Sequence, residues 1–341
     1  MVTKTAEGLV QIQTAPLGRR QRWERALSHQ PLVGPTVVLL LAAVVFGLWV
    51  GSRFIDPVNL SLILQQVMIV GLLGIAQTLV ILTAGIDLSV AAIMVLSQVV
   101  MGKLAVEHGV PVPLAILVGI AVGGLCGLVN GLLVTRFSIP PFIATLGTLS
   151  IFYALNLYIS KSQTIPFSKV PAALQWPGSS FSMLGVDITF GSLLLVAGFL
   201  TAAYVLHETA WGTRVYAVGD NAEAARLSGV RVNRVLLSVY IAAGLICGLA
   251  GWFLIGRLGS VSPLAAANLN LDSITAVVIG GTSLFGGRGR IMGTLLGALI
   301  VGVFGNGLAL AGVDVLWQVF TIGLLIVVAV GLDQRLRRAA R

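Results

Sequence analysis

Residues 212–229, GTRVYAVGDNAEAARLSG, form a polar interval between two long apolar runs. Asp220 is placed to cap a short helix in which Glu223 takes the third position, a capping-box arrangement. Gly229 supplies the left-handed residue that commonly ends a helix. A chain embedded in lipid seldom needs a small, well-formed helix outside the membrane unless a soluble protein docks there. The interval therefore predicts a docking site on a membrane-embedded chain.

The predicted helix has one face of small residues. Ala222, Ala225 and Arg226 share this face because they follow one another at i, i+3 and i+4. Two alanines and one cation are suited to insertion into the groove of a partner protein. The alternative is a surface helix that only closes a loop.

The composition places the rest of the chain in a membrane. Mean hydropathy is +1.00, and only 10% of the residues are charged, against about 25% in soluble domains. A spanning helix needs about 20 mostly apolar residues, and ten segments meet or approach that length. The predicted fold is an all-α polytopic membrane protein with about ten transmembrane helices. The segments are 32–50, 60–83, 88–106, 112–134, 141–160, 188–207, 235–256, 272–285, 291–310 and 316–332.

The distribution of Lys and Arg predicts the orientation of the chain. With ten spans and the N-terminus inside, 16 of the 21 basic residues fall on the inside, as cytoplasmic loops require. Both termini are therefore predicted to be cytoplasmic. The same asymmetry accounts for the net charge of +9 without a nucleic-acid patch, and favours contact with anionic lipid. The predicted parts are a basic cytoplasmic tail at 1–31, a transmembrane domain at 32–332 and a basic cytoplasmic tail at 333–341.

Two longer interruptions divide the transmembrane domain: 161–187 is predicted to lie outside and 208–234 inside. The outer segment carries three prolines, which preclude a long helix. It is predicted to fold as an external cap that presents Phe167 and Trp176 for contact with a partner. The alternative is that these aromatic side chains anchor the protein at the level of the lipid headgroups.

Uncharged polar side chains inside the spans are candidates to line a path for solute. A path without charge suits a neutral, hydroxyl-rich solute better than an ion. For each residue singly, the alternative is a hydrogen bond between helices. The candidates are Gln66, Gln77, Asn130, Thr145, Asn156 and Asn306.

Asp87 is the carboxylate whose position most needs an explanation, since acidic residues near a bilayer are costly. It falls where the third span starts, so a capping role at the positive end of that helix is the predicted interpretation. Proton or ion coupling is the alternative. The sequence offers no nucleophile–base pair and no cluster with metal-ligand spacing, so neither an enzyme nor a metal site is predicted.

Five motifs together resemble the permease subunits of ribose-type sugar ABC importers. The resemblance covers roughly residues 32–332 in order, and several motifs occurring together make it specific to the family. The motifs are AGIDLSV (84–90), VNGLLVT (129–135), PFIATLG (141–147), VYAVGDNAEAARLSGV (215–230) and IGGTSLFGG (279–287).

This resemblance implies a subunit of the bacterial inner membrane that forms half of a permease dimer with an identical or homologous chain. A cytoplasmic ABC ATPase would bind ATP and Mg, so this chain itself would bind no cofactor, and a periplasmic binding protein would deliver the sugar. Branched-chain amino acid permeases are more distant relatives, so an amino acid is the alternative solute, and an ion-coupled secondary transporter is a further alternative. The resemblance also implies that the polar interval holds the coupling helix that contacts the ATPase. Its residues are Gly219, Asp220, Asn221, Ala222, Glu223, Ala225, Arg226 and Gly229.

Overall fold

The computed structural model describes residues 32–183, 185–265 and 268–339, so the tail predicted for 1–31 lies outside the described residues. Within these ranges the chain is mainly helical. The helices are α1 (Val33–Val50), α2 (Ser52–Ile55), α3 (Pro57–Leu82), α4 (Val90–Val106), α5 (Val112–Thr135), α6 (Pro141–Ser160), α7 (Ala172–Gln175), α8 (Phe190–Glu208), α9 (Ala210–Asp220), α10 (Ala222–Leu227), α11 (Val232–Leu258), α12 (Leu269–Ile279), α13 (Ile291–Leu310) and α14 (Val315–Ala339).

Each of the ten predicted spans contains a helix. Seven helices of the described residues are long and apolar enough to cross a membrane: α1, α3, α5, α6, α8, α11 and α13. α4, α12 and the apolar part of α14 are shorter, so the count of ten stays a prediction. α12 has 11 residues, about 16 Å at 1.5 Å per residue, and it ends six residues before the predicted limit of 285. It covers about half of a hydrocarbon core of about 30 Å.

The tightest helix pair, α5 with α11, is joined through glycine. α11 contacts α5 more extensively than any other pair of elements in the described chain. A side-chain carbon on Gly127 would stand 3.1 Å from the Cα of Gly244, and one on Gly123 would stand 2.9 Å from the Cα of Gly248. Small residues let helix backbones approach where burial from water supplies no driving force, which explains the glycines inside these spans.

One end of the helix bundle collects the arginines of the loops. There the amide of Gly287 donates to the carbonyl of Leu82 at 3.0 Å, and Asn233 Nδ2 donates to the carbonyl of Thr135 at 3.4 Å. Residues 82–89, 135–139, 210–234 and 280–290 form this arginine-rich end. Its arginines are Arg136, Arg214, Arg226, Arg231, Arg234, Arg288 and Arg290.

The opposite end, which we call the cap end, is formed by residues 51–61, 161–183, 185–189 and 256–265. The outer segment folds there into 3₁₀ turns, the short α7 and a hairpin, as its prolines require. The hairpin was not predicted: β1 (Ser180–Met183) pairs with β2 (Val186–Thr189) in an antiparallel register. A bridge between Ile165 and Val261 ties this segment to the chain that follows α11.

The last helix runs past the predicted start of the C-terminal tail. α14 continues without a break from Val315 to Ala339, so residues 333–339 are helical, and the tail's cytoplasmic location stays a prediction. Gln, Arg, Leu and Ala are good helix formers, and the stretch 333–339 contains no glycine or proline to end the helix.

Candidate functional site

The polar interval contains two short helices, and its N-cap is one residue later than predicted. α9 extends to Asp220, and the residue that follows it, Asn221, has extended dihedral angles. Asn221 Oδ1 accepts from the amides of Glu223 at 3.0 Å and Ala224 at 2.9 Å. The prediction that Asp220 caps α10 was therefore wrong. Asp and Asn are comparable caps, so the sequence of α10 alone does not distinguish them.

The predicted end of α10 is confirmed. Gly229 has a φ of +86°, which a residue with a side chain rarely adopts. Its amide donates to the carbonyl of Arg226 at 2.9 Å, and the amide of Val230 donates to the carbonyl of Ala225 at 3.0 Å. These two bonds are those of a Schellman motif.

The predicted docking face of α10 was wrong at Ala225. Its side chain is buried in the core of this chain, so it is not available to a partner's groove. Ala222, Glu223 and Arg226 are exposed, and Glu223 and Arg226 are 3.8 Å apart as a surface pair. The exposed large apolar residue on this helix is Leu227, at 82%. Sequence analysis missed Leu227, although an apolar residue just before the glycine stop of a polar helix was the available signal.

α9 is fixed to the transmembrane helices by contacts between backbones. A side-chain carbon on Gly219 would collide with the carbonyl of Leu82 and stand 2.7 Å from the amide of Gly287. Tyr216 Oη donates to the carbonyl of Gly289 at 2.9 Å. Burial raises the pKa of the Tyr216 phenol, with Arg290 opposing that shift, so the hydroxyl remains a donor. α9 therefore packs against the glycine-rich loop 280–290.

The junction between α3 and α4 lies beside this loop and is held in place by polar contacts. Asp87 is buried, and its Oδ1 accepts from the amide of Ser89 at 2.7 Å and from Ser89 Oγ at 2.6 Å. Ser89 is the N-cap residue of α4, so Asp87 holds the turn before the helix. The prediction that Asp87 caps this helix was therefore wrong. Asn130 Nδ2 donates to Ser89 Oγ at 2.8 Å, and Thr145 Oγ1 accepts from the amide of Leu88 at 3.2 Å.

A cavity of about 460 Å³ lies beside the start of α4. Of the six predicted path residues, Asn156 is the one that lines this cavity. Tyr153 and Asn270 also line it and were missed, because a tyrosine within a span and an asparagine just before a predicted span carry no distinctive pattern in the sequence. The lining residues are Ala91, Ala92, Val95, Leu149, Tyr153, Asn156, Pro263, Leu264 and Asn270.

The other predicted path residues do not meet in this cavity. Gln77, Asn130 and Thr145 are fully buried between helices. Toward the cap end, Asn306 Nδ2 of α13 donates to Asn59 Oδ1 at 2.8 Å. Gln66 of α3 lies against Gly305, which precedes Asn306 on α13. A path through all six residues stays a prediction.

The two aromatic residues predicted for docking differ in their surroundings. Trp176 stacks on Phe190, with ring centroids 5.0 Å apart, and on Trp252 at 6.0 Å. Phe167 covers Gly259 and is 65% exposed, against 40% for Trp176. Phe167 therefore presents the larger free surface.

Among the described residues, no group of three or more His, Cys, Asp or Glu side chains is arranged to hold a metal ion. Cys126 and Cys247 are buried free thiols on α5 and α11.

Comparison with known proteins gives consistent matches over nearly the whole chain. Residues 59–330 match the family described as branched-chain amino acid transport system / permease component. The chain is 52% identical over 323 residues to the fructose import permease protein FrcC of Rhizobium meliloti, covering 94% of this chain and 90% of that protein. It is 41% identical over 303 residues to the ribose import permease protein RbsC of Bacillus subtilis, covering 89% and 92%.

A solved structure shares the fold. It is a chain of an ABC transporter, described as metal-chelate type, in an inward-facing conformation. The TM-score is 0.51 at 18% identity, covering 87% of this chain and 98% of that chain. At this identity the likeness concerns the fold alone.

Proposed function

The chain belongs to the family of branched-chain amino acid transport system permease components, and we propose that its solute is a neutral monosaccharide. As a permease component it is a multi-pass membrane protein and a transport subunit, and it is not an enzyme. The resemblance to sugar ABC permeases inferred from the five motifs is confirmed by the relatives named for fructose and ribose import.

The observation that carries the proposed solute is the neutral polar lining of the cavity. Two carboxamides and one phenol line it together with apolar side chains, and none of the described residues that line it is charged. A free amino acid carries an ammonium and a carboxylate, and both would lose water without an opposite charge to pair with. A sugar needs only hydrogen-bonding groups and an apolar surface, which this lining offers.

The two ends of the bundle suit two different partners. We propose that the arginine-rich end is cytoplasmic and binds an ABC ATPase, which holds the ATP and Mg²⁺, through the exposed side of α10. The basic residues of loops concentrate at this end, as the positive-inside rule requires. The cap end, with Phe167 exposed, would receive a periplasmic binding protein, and a second permease chain would complete the path.

A contact route joins the proposed ATPase surface to the cavity. α10 is continuous with α9 through Asn221, and α9 contacts Leu82 through Gly219. From Leu82 the chain continues through the junction that Asp87 closes to the first turn of α4, where Ala91 lines the cavity. A displacement of α10 would therefore reach the cavity through close-packed backbone.

Transport in proteoliposomes tests the proposal. The vesicles contain this permease with its ATPase, enclose ATP on the ATPase side and receive the binding protein outside. We expect ATP-dependent uptake of a labelled monosaccharide from a panel that includes fructose, ribose and allose, and no uptake of leucine. Uptake of leucine in place of every sugar, or sugar uptake driven by an ion gradient without the ATPase, would overturn it.

A further inference from the structure

Two helices begin side by side at the wall of the cavity. Ala91 and Ala92 in the first turn of α4 line it, as does Asn270 in the first turn of α12. Asn270 Oδ1 accepts from the amide of Ala91 at 2.8 Å, so the two starts are held together. Neither N-cap residue, Ser89 or Asn268, caps its helix with its side chain.

The described part of the segment that leads to α12, residues 259–265, descends from the cap end along the same wall. Gln98 Nε2 donates to the carbonyl of Ser262 at 2.6 Å, and Asn156 Nδ2 donates to the carbonyl of Pro263 at 2.9 Å. α12 is too short to cross a bilayer, so its start lies partway along the bundle. Transporters commonly place solute sites where such interrupted helices begin, because the amides of a first turn remain free to bind a ligand.

Asn156 supplies a second observation: of the nine described residues with a buried, unpaired side-chain N or O atom, it is the one that lines this cavity. Its side chain is 1% exposed, and its Oδ1 has no hydrogen-bond partner. Leaving a buried polar atom unpaired is costly, and the bond from Nδ2 to Pro263 keeps the amide group in place. A ligand in the cavity that donates a hydrogen bond would satisfy this oxygen.

We propose that Asn156 determines specificity in a monosaccharide site formed by this cavity, with Oδ1 accepting a hydrogen bond from one sugar hydroxyl. The first-turn amide of Ala92, next to the Ala91 amide that Asn270 already occupies, donates to a hydroxyl oxygen of the same sugar. Asp272, in the first turn of α12, offsets the positive end of that helix without being among the lining residues, which suits a neutral ligand. This inference rests on the proposed function.

The test compares a sugar with its monodeoxy analogues in the proteoliposome assay. The analogues used are those that the binding protein still binds, and each is supplied at a saturating concentration, so that differences arise in the permease. We expect the wild-type transporter to carry one analogue about tenfold to hundredfold more slowly than the parent sugar, since a site built for a hydroxyl rejects a ligand without it. Asn156→Leu should slow the parent sugar to the rate of that analogue and abolish the discrimination.

Gln98→Leu is the matched control. Gln98 also donates to the descending segment and also has an unpartnered buried oxygen, but it does not line the cavity. It should retain the discrimination even if uptake falls. If Asn156→Leu does not assemble, Asn156→Ala serves the same comparison, because its smaller side chain fits the space.

Four outcomes separate the inference from the proposed function. Discrimination that persists in the Asn156 variants, or is lost equally in Gln98→Leu, overturns the inference. Equal rates for all analogues in the wild-type transporter also overturn it. Failure of the wild-type transporter to carry any monosaccharide contradicts the proposed function itself.

Discussion

The arginine-rich end and the cap end of the bundle are both joined by contacting backbones, but the cap end adds stacked rings. At the arginine-rich end, Gly219 leaves no space for a side chain between α9, Leu82 and Gly287. At the cap end, Gly178 and Gly256 leave no space for a side chain either, and Trp176 also joins α8 and α11 through stacked rings. Contacting backbones cannot give way without moving a whole helix, whereas side chains can adopt new rotamers. Both ends can therefore transmit displacement, and the rings of the cap end can also adjust to a change in their neighbours.

The largest effect should come from Gly219→Ala. The added methyl group would overlap the carbonyl of Leu82, so α9 must separate from the bundle. We expect ATP-dependent uptake to fall by at least tenfold while the ATPase, measured in the same vesicles, still hydrolyses ATP.

Gly198→Ala is the control for this change. It places the same methyl group inside α8, where the nearest atom is Ile75 Cδ1 at 3.6 Å, an ordinary contact. Uptake should remain close to wild type. Equal loss in both variants would show that helix substitution in general, and not the contact at Gly219, impairs transport.

Leu227→Asp tests the surface that α10 presents to its partner. An exposed leucine buried in an interface commonly contributes about 1–2 kcal/mol, so the ATPase should bind about tenfold more weakly to the purified permease. Leu258→Asp introduces the same change at the end of α11, on the cap end, and should leave ATPase binding unchanged. Unaltered binding by Leu227→Asp would exclude this side of α10 as the coupling surface.

A smaller and more selective effect is expected at the cap end. Phe167→Ala removes an exposed ring, and we expect the binding protein to stimulate ATP hydrolysis two- to fivefold less, while hydrolysis without binding protein stays unchanged. Trp176→Ala should instead lower the midpoint of thermal unfolding, because its ring stacks on Phe190 and Trp252. The reverse pattern would make Trp176 the docking residue.

The smallest effect separates the two candidate caps of α10. Asn221→Ala removes both hydrogen bonds to the first turn and should destabilise α10 by about 0.5–2 kcal/mol. Asp220→Ala should be nearly neutral, because Asp220 is exposed at the end of α9. The rate of uptake at limiting ATPase concentration measures the effect of each variant. A larger loss of uptake in Asp220→Ala than in Asn221→Ala would contradict the assignment of Asn221 as the cap.

The length of the apolar runs was sufficient to locate the helices of the ten predicted spans, because a membrane leaves few alternatives to a long apolar helix. The separate helix α9 was not predicted. The stop at Gly229 was predicted for a comparable local reason, since its positive φ favours glycine. The cap at Asn221 was missed because Asp and Asn stand side by side, and the length of α9 decides between them. That length depends on its packing against loop 280–290, which no local pattern records.

The site was less predictable than the fold. Six polar residues were equally suitable from the sequence, and only the three-dimensional arrangement separates Asn156, which lines a cavity, from Gln77 and Thr145, which lie between helices. Ala225 shows that sequence spacing can also suggest a contact that the fold does not make. Helical spacing placed it on a shared face with Arg226, but the direction of that face depends on how α10 lies against the bundle.

The most direct test of the account is site-specific photo-crosslinking from both ends of one assembled transporter. A photoreactive amino acid would replace Leu227 in one sample and Phe167 in another, and the products would be identified by mass spectrometry in membranes that contain the ATPase and the binding protein. The account predicts that position 227 crosslinks to the ATPase and position 167 to the binding protein. Crosslinks from both positions to the same partner, or to the opposite partners, would contradict it.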